Sequence, residues 1–160
     1  MLLRAAALLA ALVAPVPLAG CGLDIPADPE GTLDSVRSSG ELTVGVSPHP
    51  PHTTVPERPG GPPGGTEIEL VTGFAESLSA EPVWVVGGEE SLMAQLEEGE
   101  LDVVVGGLTA KSPWGAEVAL TRPYRLTTVH GKEIGLVMAV VPGENALLSA
   151  LERHLDGHRR

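Results

Sequence analysis

Side chains able to do chemistry gather at three places in this 160-residue chain. His49 and His52 bracket a proline pair in HPPHTTVPERPGGPPGG. Glu89 and Glu90 open EESLMAQLEE, and Lys111, Ser112 and Trp114 follow a glycine pair in VVVGGLTAKSPW. The His-Pro-Pro-His spacing invites a metal reading, yet no cysteine or spaced carboxylate completes a ligand set. A solvated turn is favoured there, and no metal is expected. Glu89 and Glu90 could simply complement a helix dipole from the first turn, or Glu89 could face a ligand. Ser112 has no base evident in the sequence, no loop is built to cradle phosphate, and no carboxylate pair is spaced for hydrolysis. These residues suit binding. Neither an enzyme nor a cofactor is expected.

The elements that must position them follow from the apolar pattern. Val103, Val104 and Val105 are β-branched and too few for a helix, so they read as a strand buried on both faces. Gly106 and Gly107 let the backbone turn sharply and let another group approach it. Residues 42–46 and 82–86 read as two further strands. Between them lies a helix over 67–78, with Leu70, Phe74 and Leu78 recurring every four residues and Val71 and Ala75 beside them. Residues 89–98 form a second amphipathic helix on Leu92, Met93 and Leu96. Thr32 is expected to cap a short helix over 33–38 that Gly40 ends. Downstream come a short apolar run at 118–120, a strand over 134–141, and a closing helix capped by Asn145.

Alternating strands and helices imply right-handed crossovers and a mainly parallel sheet, an α/β fold. The loops leaving the first three strands should then meet at one sheet edge. They bring His49, His52, Glu89 and residues 106–114 together as a crevice. The 49–65 loop is long for a compact domain, which marks it as functional or disordered.

The amino terminus reads as a targeting segment. Arg4 precedes an apolar stretch shorter than the roughly 20 residues a membrane span requires. That stretch ends in Leu18-Ala19-Gly20-Cys21, which resembles a bacterial lipoprotein signal occupying residues 1–20. Cys21 is the sole cysteine, so acylation rather than an intrachain disulfide explains it. Residues 21–31 form a Pro/Gly/Asp-rich tether, and residues 32–160 the body. Cleavage would remove Arg4 and shift the formal charge from −11 to −12, which excludes a nucleic-acid binder. The expected location is the outer face of the cell envelope, with the chain anchored to the membrane through Cys21.

The order of several segments carries a resemblance. GELTVGV, Pro50-Pro51, GTEIEL, LDVVVGGLT, VALTRPY and GLVMAV together look like the family 3 extracellular solute-binding proteins, the amino-acid-binding lipoproteins of ABC importers. The resemblance implies a lobe of the type II periplasmic-binding-protein fold. It also implies ligand contacts from Gly107 and Thr109, largely through backbone groups and the Thr hydroxyl. An arginine that pairs with the ligand carboxylate is usual where Trp114 stands, and a threonine where Lys111 stands. Aromatic clamp positions appear as His49 and Glu89, and His52 replaces a structural aromatic.

These substitutions change the physics. Indole offers one donor where guanidinium offers a planar fork, a loss on the order of 2–5 kcal/mol at a partly buried site. Lys111 could restore part of this as a point charge, and Glu89 would favour a cation.

Family relatives are two-lobed. Here Tyr124 is followed closely by GLVMAV, which resembles the return into lobe one, so a single lobe is expected, its ends rejoined through residues 125–132. A lone lobe leaves a ligand open to water on one side, and tight capture of a free amino acid by the monomer is not expected. The implied function is a lipid-anchored solute-binding component of ABC-type amino-acid uptake. Its partners would be a small polar solute, an ABC permease and the membrane, with a homodimer as one way to complete the pocket. The alternative is a non-transport envelope module built on the same lobe, serving protein interaction or sensing.

Overall fold

The computed structural model describes residues 28–56 and 61–158. The expected signal segment, Cys21 and most of the tether lie outside the described residues. Helix α1 (Thr32–Ser39) leads into strand β1 (Glu41–Val46), followed by α2 (Thr66–Ser77), β2 (Glu81–Val86), α3 (Glu89–Glu97) and β3 (Val103–Val105). A short 3-10 turn (Pro113–Ala116), β4 (Ala119–Leu120), a hairpin of β5 (Arg125–Val129) and β6 (Lys132–Leu136), β7 (Ala139–Val140) and α4 (Asn145–Asp156) complete it.

The main sheet runs β2-β1-β3-β7-β4. β1 sits between β2 and β3 and is parallel to both, as two successive βα units require. β7 returns antiparallel to β3 and β4. Val103, Val104 and Val105 are completely buried, which explains why the strand shows no polar alternation. Phe74 and Val71 of α2, Leu92 and Leu96 of α3, and Leu147 and Leu151 of α4 bury the remaining faces. This is the expected α/β lobe. Among the described residues, no helix is long and apolar enough to cross a membrane.

Several local expectations are corrected. Thr32 does not cap α1. Gly31 holds the capping position without a side-chain bond, and the buried Glu144 carboxylate accepts from the N–H groups of Glu30 (2.9 Å) and Thr32 (3.1 Å) instead. Asp28 accepts from Leu33 N–H at 3.2 Å. The last residues of the expected tether are thus tied to the body. Asn145 is the first residue of α4 rather than its cap; Glu144 occupies that place, its side chain committed to α1. The expected strand over 134–141 breaks at Val137 and Met138, whose N–H groups go to Leu108 O (2.9 Å) and Thr121 Oγ1 (3.0 Å).

The 125–132 link is itself structured. β5 and β6 pair antiparallel around His130 (φ 51°) and Gly131 (φ 74°), and two consecutive positive φ values suit a two-residue hairpin turn. No second lobe lies between Tyr124 and Gly135. His154, near the end of α4, packs half-buried against Phe74 with ring centroids 5.7 Å apart. Burial, then the neighbouring His158, lowers its pKa, so it serves as a packing ring.

Candidate functional site

β1, β2 and β3 are parallel, so the loops that leave them emerge at one end of the sheet. Residues 47–53 follow β1 and fold into a tight turn. His49 N–H donates to Thr53 O (3.0 Å) and Thr53 Oγ1 (2.8 Å), while His52 N–H donates to His49 O (2.9 Å). The buried Thr53 hydroxyl donates to Ser47 O, and the His49 and His52 rings stack 6.0 Å apart. Among the described residues, no group of three or more metal-ligating side chains exists.

Residues 106–112 follow β3. Gly107 has φ 64°, and a Cβ there would collide with the His49 ring, so only glycine lets histidine close over this backbone. Its N–H donates to Glu67 Oε2 at 2.9 Å. Glu67 lies in the first turn of α2 with no exposed surface, and its other oxygen accepts from Tyr124 Oη at 2.6 Å. Burial first, then the charge of Glu67, holds the Tyr124 phenol far above its ordinary pKa, so it stays a donor. One buried carboxylate therefore braces the glycine loop against the segment that enters the hairpin. Sequence reasoning passed over both residues. A signal existed: Glu67 stands four residues before Val71 and seven before Phe74, on the buried stripe of α2.

The remaining candidates sit along the rim. Thr109 bridges to Leu136 of β6 and accepts Ser112 N–H at 2.8 Å through its carbonyl. Lys111 is exposed. Trp114 is half-buried against the core edge, and its indole N–H donates to Glu89 Oε1 at 2.6 Å. The structure thus pairs His49 with Gly107 and Glu89 with Trp114, on loops at the same end of the sheet. Two backbone groups at the positions the resemblance assigns to ligand contact are committed within the chain, the Gly107 N–H to Glu67 and the Thr109 carbonyl to Ser112. Thr109 Oγ1 and Lys111 Nζ have no hydrogen-bond or ion-pair partner among the described residues. The arrangement offers donors, a ring face and a carboxylate, which is binding chemistry.

Residues 42–158 match the bacterial extracellular solute-binding proteins, family 3. The chain belongs to this family. Its lobe is similar to the arginine-bound form of domain 1 from TmArgBP, at 27% identity and a TM-score of 0.69, covering 78% of this chain and 98% of that one. An ancestral cationic amino acid solute-binding protein (14% identity, TM-score 0.70, 79% and 93% covered) shares the fold. So does holo ArgBP from T. maritima (16%, 0.69, 79% and 94%). A curated relative, the membrane-bound lytic murein transglycosylase F of Maricaulis maris (strain MCS10), is 34% identical over 124 residues, which is 76% of this chain. The family 3 chain spans only 26% of that relative's length.

Proposed function

We propose that this family 3 chain is the solute-binding lobe of a protein tethered to the outer face of the cell membrane. It takes an amino acid or a closely related small polar solute at the rim of His49, Glu89, Gly107, Thr109, Lys111 and Trp114. The observation that carries this reading is the similarity, at 27% identity, to an arginine-bound single domain matched over 98% of its length. That similarity also speaks for capture by one lobe without a closing partner. The rim chemistry supports it, since Thr109 Oγ1 and Lys111 Nζ remain available for a ligand carboxylate. Tethering through Cys21 rests on the Leu-Ala-Gly-Cys sequence and the lone thiol, and an ABC permease is the partner that such a lobe would serve. Calorimetry with the twenty amino acids tests the reading. At least one should give saturable heat, and silence from all of them at about millimolar concentration, roughly −4 kcal/mol of binding, would overturn it.

A second reading draws on the relative named as a membrane-bound lytic murein transglycosylase. In it the lobe is a recognition module of the envelope that works beside murein-cleaving enzymes rather than an importer. Affinity capture from envelope extracts separates the two. Recovery of permease subunits alone removes the second reading, and recovery of murein-cleaving enzymes without a permease removes the first.

A further inference from the structure

Glu89 and Trp114 satisfy each other across the site. Glu89 begins α3 just after β2, and Trp114 lies in the 3-10 turn after β3. β2 and β3 are the two neighbours of β1 in the sheet, so the 2.6 Å bond ties together the loops on either side of it. The bond is unequal. Indole is neutral and has a single N–H, whereas the carboxylate is built to accept several charged donors. Glu89 is exposed and makes no ion pair among the described residues, so the indole is the partner it has for want of a better one. An ammonium or guanidinium supplies full charge and several donors, and would take the carboxylate from the indole. The released ring then presents a face to that cation, the favoured geometry for an aromatic next to positive charge. The loop also carries a reason to move. Ser112 Oγ is buried without a hydrogen-bond partner in the closed arrangement, and opening the loop would return it to water.

The geometry points to the Glu89–Trp114 pair as a latch that a cationic head group opens. Arginine- or lysine-class solutes enter the rim by displacing the indole from Glu89, and neutral or acidic amino acids leave it shut. This inference rests on the proposed solute-binding reading and specifies which solutes pass.

The test uses the full chain carrying Trp84→Phe, so that emission reports Trp114 alone. L-arginine should shift that emission to the red and saturate, while L-glutamine, similar in length but uncharged, should leave it unchanged. Glu89→Gln keeps an acceptor for the indole and removes the charge; it should weaken arginine binding about tenfold, a loss within the range for a charge-assisted bond. Trp114→Phe removes the competing donor and keeps a ring, and calorimetry should find arginine binding several-fold tighter. Circular dichroism establishes that each variant is folded. If arginine binds with heat but without a change in Trp114 emission, or if glutamine binds as well as arginine, the latch is wrong and the solute-binding reading stands. Should no amino acid bind either the parent or Trp114→Phe, both fall.

Discussion

Glu67 is the residue on which the rim depends most, although it faces no solvent. It accepts from the Gly107 N–H and the Tyr124 hydroxyl at once, so removing its carboxylate strands two buried donors. Glu67→Gln keeps one acceptor but points an amide N–H at the other donor. Urea unfolding should show a loss of about 1–3 kcal/mol. Tyr124→Phe should cost about 1 kcal/mol, and the double variant less than the sum, since both remove the same bond. The phenol adds a pH signature. Its pKa is raised on folding, so its contribution is complete below its ordinary 10.0 and is lost as pH rises above that value. Stability of the parent should therefore fall more steeply above about pH 10 than that of Tyr124→Phe.

At the scale of elements, α1 is held by groups remote from it in sequence. Glu144 supplies its amino-terminal acceptors from the loop before α4, and Asp28 sits against Glu144. Burial, then the hydrogen bond and charge of Glu144, raises Asp28 from its ordinary 3.8 to about 6. Burial alone would raise Glu144 too, but the hydrogen bond from Asp28 and the N–H groups of Glu30 and Thr32 hold it below its ordinary value. The pair therefore favours sharing one proton. The raised Asp28 gives stability that is full below its ordinary 3.8 and lost as pH rises through about 6. Asp28→Asn mimics the protonated form and can still accept from Leu33. Its Tm should exceed that of the parent at neutral pH, and the gap should close as pH falls below about 5. Equal pH profiles for the two proteins would show that the shared proton contributes nothing to docking α1.

For the whole molecule, the decisive fact is that Tyr124 passes into a two-residue-turn hairpin and then directly into β7. The hairpin is bound to the lobe through Tyr124 N–H to Leu136 O (3.0 Å) and Ala110 N–H to Gly135 O (2.8 Å). It projects Leu126, 62% exposed, into solvent. The tether proposed at Cys21 would hold such a lobe at the membrane. Metabolic labelling with an alkyne fatty acid in a bacterial host should mark the protein, and Cys21→Ala should abolish the mark and release the chain from membranes. Labelling that survives Cys21→Ala would remove the anchor from the proposal.

The order of strands and helices and the α/β class were legible in the sequence alone. A buried β-branched triplet and two amphipathic stripes leave few other ways to hide their apolar faces. So was the emergence of the loops that carry His49, Glu89 and Gly107 at one end of the sheet, because parallel strands direct their following loops the same way. The hairpin was not, since β5 is exposed at all but Thr127, β6 grades from exposed to buried, and neither shows the alternation that marks a half-buried strand. Nor were the caps of α1, the bond between Glu89 and Trp114, or the bracing of Gly107 by Glu67. Those contacts join residues 25 to 114 positions apart, and local propensity carries no information about a partner at that distance. Only the packed chain decides which buried donor meets which acceptor.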